Sequence, residues 1–476
     1  MSRSCSHILD KNKLPVVIDL FSGCGGLSLG FQTAGFTLAH GIDMSESAVY
    51  TASFNLHWRY GMDKKYINGD IRHIDPGIFK GATDDECIVI GGPPCQAYSL
   101  IGKAKLRSLG HDRVNTRDAR GYLFQDFIRY VLELDAKAVV MENVPEATDY
   151  GGLNVPQYVC DILEDHGYTA CWTILNAADY GVPQVRERVF VFAIRGKLAH
   201  EFKLPLPTHR NPEDRPTQLQ LRMKKFVQFK NFQEPVKPSG DCPDWITVKE
   251  ALSDLPSLFP SSRSKYYLYK PHIQLEYRTE PENPYQLLMR TWYHNNPKTV
   301  TGHGFRKTVR DFPIFERMNQ GDNYKAASEI AEHLLEEHCR INNIDREKNE
   351  KEYLELREKI VPPYDTGKFV SKWKKLREDK PSHTLVAHLS TDTYSHLHPW
   401  EPRGISVREA ARLQSFPDGF LFQCSMSDAF RQIGNAVPPL LSKAIAESIR
   451  ENILLLDEAI KDENSTGDQR LFCSTG

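Results

Sequence analysis

The sequence lacks the closely spaced cysteines that build zinc sites and disulfide frameworks. Its 476 residues include ten cysteines, but they are scattered and form no C-x-x-C pair. Cys87 and Cys95, the nearest two, are eight positions apart. Metal and disulfide frameworks use shorter or more regular spacings. We therefore expect reduced thiols in a cytoplasmic setting and no bound metal, although one cysteine can still act chemically.

Long apolar runs and an excess of charge of one sign are also missing. The longest charge-free run, residues 20–42, is interrupted by Gly, Ser, Gln, Thr and His, and residues 1–13 contain no apolar signal-peptide core. Lysine and arginine (60) nearly balance aspartate and glutamate (62), for a formal net charge of −2. We expect no membrane association, and any surface that attracts nucleic acid must be local.

Short apolar runs alternate with amphipathic stretches over the first 200 residues. Helical periodicity lies between the runs, for example over residues 45–55 and 123–134. This alternation predicts an α/β fold with a mostly parallel, doubly wound sheet, whose catalytic groups lie at the carboxyl ends of the strands. The predicted strands are residues 16–21, 37–42, 87–90, 138–141 and 189–194.

The pattern changes after about Leu204, where proline becomes frequent. Residues 261–310 carry nine basic and three acidic side chains with seven Tyr or Trp residues among them. Such a segment suits a phosphate backbone and unstacked bases, but a solvated loop region has the same composition. Residues 326–360 predict one or two charged surface helices. An apolar stripe after Pro438-Pro439 predicts a helix that starts at those prolines.

A glycine-rich turn follows the first strand in Asp19-Leu-Phe-Ser-Gly-Cys-Gly-Gly26. It has neither the Lys-Ser/Thr of a P-loop nor the full G-x-G-x-x-G spacing, which disfavours phosphate binding. Asp43 at the end of the second strand and Asp70 could bind a nucleoside. The combination fits S-adenosylmethionine at least as well as NAD, although either acid could instead be a helix cap or a surface residue.

A cysteine stands in a rigid turn after the third strand, in Gly91-Gly-Pro-Pro-Cys-Gln96. A Pro-Pro turn at the active edge of a sheet is a poor place for a core cysteine, which favours a nucleophilic Cys95. Glu142 closes the fourth strand beside it. Arg186 and Arg188 precede the fifth strand and share one face. They could hold a carbonyl oxygen or the glutamate, or form a surface ion-pair run.

Together these motifs closely resemble those of the DNA (cytosine-5) methyltransferases. The resemblance covers about residues 15–200 and 400–455 in the family's order and spacing. Its segments are Asp19–Gly26, Pro93–Gln96, Glu142–Val144, Gln184–Arg188, Arg408–Pro417 and Gln432–Pro439. The residues between, about 204–399, fall where the family keeps its variable target-recognition domain.

The resemblance implies the chemistry of the site. The target cytosine is flipped out of the duplex, the Cys95 thiolate adds to its C6, and Glu142 binds N3 and the amino group. Arg188 contacts the cytosine O2 with support from Arg186. Pro94 and Gln96 belong to the nucleophile motif, and Gln96 and Ser99 lie in a loop that closes on DNA.

The resemblance also implies S-adenosylmethionine as the cofactor and S-adenosylhomocysteine as the product. Asp43 stands where the family more often has glutamate, and Met44 where another apolar side chain packs on adenine; both can serve. The implied cofactor residues are Phe21, Gly23, Cys24, Gly25, Asp43, Met44, Asp70, Ile71, Asn435 and Val437.

The family's organisation predicts residues 1–203 as the first part of the catalytic domain and 204–399 as the target-recognition domain. Residues 400–460 would complete the catalytic domain, and 461–476 would form a polar tail. Double-stranded DNA is the expected partner, contacted by Ser99, His303, Arg306 and Lys307. A restriction–modification setting is expected, with a separately encoded endonuclease as a candidate partner and a monomeric enzyme.

Three other interpretations use the same residues. A tRNA cytosine methyltransferase shares the fold, but Tyr98-Ser99 stands where those relatives have Phe-Thr. A catalytically silent DNA-binding module would not need Cys95, Glu142 and Arg188 together. Thymidylate synthase-like chemistry also adds cysteine to a pyrimidine C6, but gives the glycine turn and the long basic insert no role.

Overall fold

A computed structural model of the chain describes most of its residues. The described ranges are 14–80, 86–94, 123–198, 200–213, 218–259, 269–293, 298–306, 308, 310–364, 366, 372–390 and 395–472. Cys95, Gln96, Ser99 and Lys307 lie outside these ranges, so the predictions about them stay predictions.

A seven-stranded sheet forms the centre of the first part of the chain. Its spatial order is β3-β2-β1-β4-β5-β7-β6, and every neighbouring pair is parallel except those made by β7. The predicted doubly wound α/β sheet is confirmed. The strands are β1 (Val16–Leu20), β2 (Leu38–Asp43), β3 (Ile67–Asn68), β4 (Cys87–Gly91), β5 (Ala138–Asn143), β6 (Tyr168–Asn176) and β7 (Glu187–Arg195).

Both faces of this sheet are buried, which explains the nearly continuous apolar runs of its strands. On β5, Val140 belongs to one core cluster and Val139 to the other, because successive side chains point to opposite faces. We call the face of the sheet that carries Val140 face A and the face that carries Val139 face B. The helices of this part are α1 (Gly26–Thr33), α2 (Glu46–Leu56), α3 (Gly77–Lys80), α4 (Leu123–Glu133) and α5 (Val155–Asp165).

Two strands of the seven-stranded sheet were missed by the sequence analysis. The two-residue β3 is too short to produce a pattern. The nine-residue β6 is rich in aromatic and β-branched residues, so its strand signal was present in the sequence. It pairs with β7 along its whole length and places Trp172 on face B, with no exposed surface.

The inserted segment contributes six helices and a two-stranded sheet within its described part. A third core cluster forms there around Phe315, Tyr324 and Trp373. Val248 and Tyr285, however, join the core on face A of the catalytic sheet. The insert is thus fused to the sheet at its base, and the boundary at residue 204 stays a prediction. The elements are α6 (Gln218–Met223), α7 (Val248–Leu252), β8 (Gln274–Glu276), α8 (Pro284–Thr291), β9 (Thr299–Thr301), α9 (Phe312–Arg317), α10 (Tyr324–Ile341) and α11 (Glu350–Ile360).

The helices α10 and α11 correspond to residues 326–360, for which the sequence predicted one or two charged surface helices. Two helices are present, and α11 has no buried residue, as expected of a surface helix. By contrast, α10 buries Ala331, Leu334 and Leu335 in the third core cluster. Its charged side chains cover only one face, so it is an amphipathic helix of that core.

The chain ends in three helices that return to the catalytic sheet: α12 (Val407–Leu413), α13 (Met426–Asn435) and α14 (Pro439–Phe472). The last begins at Pro439, as predicted. It packs so closely on α1 that a Cβ on Gly30 would lie 2.2 Å from Ser442 Oγ. Among the described residues, no helix combines the length and apolarity that a membrane crossing requires.

Candidate active site and cofactor site

Glu142 and Arg188 form an ion pair at the carboxyl edge of the sheet. Glu142 is the penultimate residue of β5 and Arg188 the second of β7, and both follow the alternation toward face A. Arg188 Nε lies 3.0 Å from Glu142 Oε1, with the side chains 14% and 12% exposed. Burial raises the pKa of Glu142, while Arg188 and Arg186 oppose that rise. This carboxyl group is therefore suited to share a proton.

The turn before Cys95 is held against this pair. Asn143 Nδ2 donates a hydrogen bond to the Pro93 carbonyl oxygen at 3.2 Å, within the buried interior. A Cβ on Gly92 would lie 2.9 Å from Glu142 Oε2, so glycine permits the close approach of the turn. Pro94 is exposed at the last described position before Cys95. The structure thus brings the start of the nucleophile motif beside Glu142.

Arg186 connects three distant parts of the chain. Its side chain is buried, and its guanidinium donates to the carbonyl oxygens of Leu385 at 2.8 Å and Gly434 at 2.9 Å. Burial and the neighbouring Arg188 lower the pKa of Arg186. Arg186 therefore ties the end of the insert and the C-terminal segment to the residues beside Glu142, which is compatible with the supporting role implied for it.

The first residue of the same motif, Gln184, makes a second set of cross-links. Its Oε1 accepts from Leu385 N at 2.8 Å, and its Nε2 donates to Leu413 O at 3.1 Å and to the Gln414 side chain. Backbone pairing of Val185 N with Ser382 O at 2.8 Å continues this contact. The chain entering β7 is thereby fixed to the insert.

The predicted glycine turn lies next to Asp43, as a cofactor loop requires. Asp43 Oδ2 accepts from Gly23 N at 2.9 Å, and Oδ1 accepts from Ser45 N at 2.8 Å. Gly23 and Gly25 have φ values of 53° and 86°, a left-handed conformation that glycine tolerates best. A Cβ on Gly23 would meet no atom within 4 Å, so space is open above the turn. Burial raises the pKa of Asp43.

The last motif packs against this loop. A Cβ on Gly26 would lie 2.5 Å from Val437 O, and Cys24 Sγ is 3.7 Å from Gln432 O. Val437 and Cys24 are buried, whereas Asn435 is exposed. Burial raises the pKa of the Cys24 thiol, which makes Cys24 a packing residue of the loop rather than a nucleophile.

The remaining predicted cofactor residues surround the same strand ends. Phe21 adopts a positive φ of 58° at the end of β1. Met44 is 69% exposed, and Ile71 is buried. Asp70 forms an ion pair with Arg72, whose Nε is 3.0 Å from Asp70 Oδ1, and this hydrogen bond lowers the pKa of Asp70. The structure brings these residues together at one edge of the sheet.

A buried hydrogen-bond chain below the loop was not predicted. Tyr66 Oη donates to Ser28 Oγ, which donates to Asp19 Oδ2, and both distances are 2.6 Å. Burial raises the pKa of Asp19 to about 7, while the bond from Ser28 opposes that rise. Tyr66 also lies so close to Gly41 that a Cβ there would be 2.2 Å from its ring. No local pattern could identify Tyr66, which lies far from Ser28 in sequence.

The predicted DNA contacts have different surroundings. His303 is buried, with Nδ1 2.9 Å from Ser406 Oγ and Nε2 2.8 Å from Pro256 O, and burial lowers its pKa. Both ring nitrogens are engaged within the protein, so the structure argues against the predicted contact of His303 with DNA. Arg306 is exposed and stays a candidate.

A buried ion-pair network joins the insert to the segment that follows it. Arg412 donates to Asp418 Oδ1 at 2.7 Å and to Asp254 Oδ1 at 3.0 Å. Arg290 donates to Asp254 Oδ2 at 2.6 Å. The motif Arg408–Pro417 was recognised from the sequence, but Asp254 and Arg290 in the insert were missed because they lie more than a hundred residues away.

Comparison with known proteins assigns the family. The profile of the C-5 cytosine-specific DNA methylases matches residues 16–451. A protein of Oceanobacillus iheyensis that carries the name type II methyltransferase M.OihORF3336P is 55% identical over 446 residues, 93% of this chain and 96% of that protein. Type II methyltransferase M.AgeI of Thalassovita gelatinovora is 32% identical over 464 residues, 91% of this chain and 98% of its own length.

A solved structure supports the fold independently. It is an E. coli protein described as a DNA modification methyltransferase encoded within a prophage, with a TM-score of 0.59 and 21% identity. The match covers 92% of this chain and 99% of the other. The chain therefore belongs to the C-5 cytosine-specific DNA methylase family and is a DNA cytosine-5 methyltransferase of the type II restriction–modification kind.

Proposed function

We propose that this enzyme transfers a methyl group from S-adenosylmethionine to C5 of a cytosine within one specific double-stranded DNA sequence. The proposal rests on the ion pair in which Arg188 Nε lies 3.0 Å from Glu142 Oε1, beside the turn that leads to Cys95. A nucleophile, a proton-sharing acid and a cation at one site match the needs of cytosine C5 chemistry.

Cys95 supplies the nucleophile in this mechanism. Its thiolate forms a bond to cytosine C6, and the ring electrons that this addition displaces make C5 nucleophilic. C5 then bonds to the methyl carbon, whose bond to sulfur breaks, so that the electron pair stays on sulfur and S-adenosylhomocysteine is the leaving product. Loss of the C5 proton returns the electron pair to the ring and expels the Cys95 thiolate, which restores aromaticity. C6 of a stacked cytosine is inaccessible, so the base leaves the duplex first.

Glu142 and Arg188 stabilise the added base. Glu142, with its raised pKa, can hold a proton against N3 and accept from the amino group, so negative charge does not accumulate on the ring. Arg188 can turn from Glu142 toward the cytosine O2. Arg186 stays in place, because Leu385 and Gly434 hold its guanidinium. Pro94 and Gln96 complete the nucleophile motif.

The residues around the glycine turn fit S-adenosylmethionine. Gly23 leaves space open above the turn, and Asp43 lies at the end of β2 where ribose hydroxyls can be bound. When bound, the cofactor supplies an electrophilic methyl group on a sulfonium. The residues that would hold it are Phe21, Gly23, Cys24, Gly25, Asp43, Met44, Asp70, Ile71, Asn435 and Val437.

The insert is proposed to choose the DNA sequence. In this proposal Arg306, Lys307 and Ser99 contact the phosphate backbone, and the enzyme acts as a monomer. The methylation would protect DNA from a separately encoded endonuclease that reads the same sequence.

A labelling experiment tests the reaction and its substrate. The enzyme is incubated with tritiated S-adenosylmethionine and with genomic DNA or tRNA, and 5-methylcytosine is mapped by bisulfite sequencing. We expect label in DNA at a single short motif. Label confined to tRNA would contradict the proposal and favour a tRNA methyltransferase.

The covalent step needs its own test. Cys95→Ser should abolish methyl transfer and leave cofactor binding intact, while Cys339→Ser, at a half-buried cysteine of α10, should keep full activity. A duplex with 5-fluorocytosine at the target should trap wild-type enzyme covalently, because fluorine cannot leave C5 as a proton does. Full activity of Cys95→Ser would refute nucleophilic catalysis by this residue.

A further inference from the structure

A basic segment at the start of the insert covers the outer edge of the sheet, and none of its residues has been given a role in the function described so far. Residues 218–233 contain four basic side chains and no acidic one. They form α6 and a following 3-10 turn (Lys224–Phe226). We call residues 221–232 the β6 ridge, because they cover β6, the edge strand of the sheet.

The ridge is firmly attached to β6 by an aromatic cluster. Phe226 and Phe232 lie 5.3 Å and 4.7 Å from Trp172, measured between ring centroids. The backbone of the ridge continues the sheet, because Trp172 N donates to Asn231 O at 2.8 Å and Gln233 N donates to Trp172 O at 3.0 Å. The basic side chains of the ridge therefore extend from a fixed support.

One end of the ridge reaches the active edge of the sheet. Arg222 Nη2 lies 2.6 Å from Glu187 Oε2, and Glu187 directly precedes Arg188. Val189 pairs with Asn143, the last residue of β5, and Glu187 comes two residues before Val189 in the chain. Because β7 runs antiparallel to β5, Glu187 lies past the carboxyl end of β5. At about 3.4 Å per residue, Glu187 projects about 7 Å past that end. The ridge thus begins beside the site where the cytosine must enter.

The ridge, which is an early part of the insert, and the rest of the insert approach this site from opposite faces of the sheet. Glu187 has the same alternation as Val189 and Val191, which lie on face B, so Arg222 meets it from that side. Arg188 and Glu142 point to face A, where Leu385 and the base of the insert pack. A duplex that crosses the edge above the catalytic pair therefore passes between the ridge and the rest of the insert.

Two lysines of the ridge are available for a polyanion. Lys230 is neutralised by Glu164 at 2.6 Å, and Arg222 by Glu187. Lys224 and Lys225 are exposed, and neither forms an ion pair with a carboxylate in the described part of the chain. Their charges lie on the half of the ridge nearest the active edge.

We propose that Lys224 and Lys225 bind DNA phosphates on the flank of the target site opposite the rest of the recognition insert. This inference rests on the proposed function, in which duplex DNA is the substrate. The ridge would add phosphate contacts that position the duplex without reading its sequence. It would also place a DNA contact next to Glu187, one residue from Arg188.

The test compares two pairs of consecutive lysines. In one variant Lys224→Gln is combined with Lys225→Gln. In the matched control Lys64→Gln is combined with Lys65→Gln, since these exposed lysines precede β3, at the other lateral edge of the sheet. Duplex binding by each full-length enzyme is measured over a range of salt concentrations, with methyl transfer to a saturating duplex as a second readout.

Loss of two phosphate contacts should lower the slope of log Kd against log salt by about 1.8 and weaken binding about tenfold or more at low salt. The control pair should keep the wild-type slope, and both variants should keep wild-type kcat. An unchanged slope in the ridge variant, or an equal loss in the control, would overturn the proposal. Loss of tRNA binding but not of duplex binding would also overturn it.

Wild-type activity separates this inference from the proposed function. If the wild-type enzyme labels no DNA, the proposed function fails. If it labels DNA and the ridge variant binds with the wild-type slope, only the inference about the ridge fails.

Discussion

At the scale of single residues, the ion pair between Glu142 and Arg188 influences the pKa of the Glu142 carboxyl group. Burial raises the pKa of Glu142, and the charge of Arg188 is the largest influence that opposes it. Arg188 therefore serves as a partner of the carboxylate and, in the proposed mechanism, of the cytosine O2. Its removal should change the protonation of Glu142 as well as base binding.

We predict that Arg188→Gln raises the pKa of Glu142 further, because the opposing charge is removed while burial remains. If protonated Glu142 is the active form, the alkaline limb of kcat against pH should move to higher pH, with a lower maximum rate. Arg195→Gln, at the far end of the same strand, is the control and should leave the profile unchanged. If the alkaline limb of kcat against pH stays at the same pH in Arg188→Gln, Glu142 is not the group whose titration produces it.

Asp19 provides a second prediction at this scale. Its pKa is about 7 in the folded protein against an ordinary value of 3.8, because the side chain is buried. The folded state therefore keeps a proton that the unfolded chain loses. This contribution to stability is complete below the unfolded pKa and is lost as pH rises through the folded pKa.

We predict that Asp19→Asn, which resembles the protonated carboxyl, removes this dependence. Relative to the variant, the wild-type free energy of unfolding should fall by up to about 3 kcal/mol between about pH 5 and about pH 8. Urea unfolding at both pH values measures it. A constant difference between the two proteins would show that Asp19 titrates alike in both states.

At the scale of elements, the contact between α1 and α14 fixes the cofactor loop. Gly30 faces α14 so closely that an added Cβ would lie 2.2 Å from Ser442 Oγ and 2.5 Å from Lys443 N. Ser442 Oγ also donates to Leu27 O at 2.5 Å, which locks the two helices together. Because one of the near atoms is backbone, a rotamer change cannot relieve the overlap.

We predict that Gly30→Ala destabilises the protein by about 1–3 kcal/mol, the usual cost of overpacking a tight contact. Cofactor affinity should fall as well, since α1 begins at the end of the glycine turn. Gly240→Ala is the control, because a Cβ there meets nothing within 4 Å. Calorimetric unfolding and cofactor titration measure both effects, and equal behaviour of the two variants would contradict the close packing.

At the scale of the whole molecule, buried charges connect the inserted segment to the elements around the central sheet. Asp254 of the insert accepts from Arg290 and from Arg412 of α12, and all three side chains are buried. Removal of one member would leave a buried charge without its partner. The network therefore links the packing of the insert on the sheet to the stability of the whole protein.

We predict that Asp254→Asn lowers the free energy of unfolding by about 3–5 kcal/mol, the range for a broken buried pair. Asp244→Asn removes an exposed partner of Arg210 and should cost less than about 1 kcal/mol. Denaturant unfolding compares the two. A small effect at Asp254 would show that Asp418 alone can balance Arg412.

The sequence alone determined the sheet class and the family. Strands that are buried on both faces are continuously apolar, so five of the seven strands of the central sheet produced recognisable runs, and the Glu142 and Arg188 motifs were found at strand ends. The short β3 gave no pattern, and the signal of β6 was overlooked. The role of Cys95 stays a prediction, because that residue lies outside the described ranges.

Only the tertiary structure decided which partners these residues have. Arg186 meets Leu385 and Gly434 at separations of 199 and 248 residues, and Arg412 meets Asp254 at 158. Tertiary packing also buries His303, for which the sequence analysis predicted a DNA contact, and brings Arg222 next to Glu187. Local patterns report on backbone periodicity and burial, whereas these contacts depend on how distant segments pack, which no local spacing encodes.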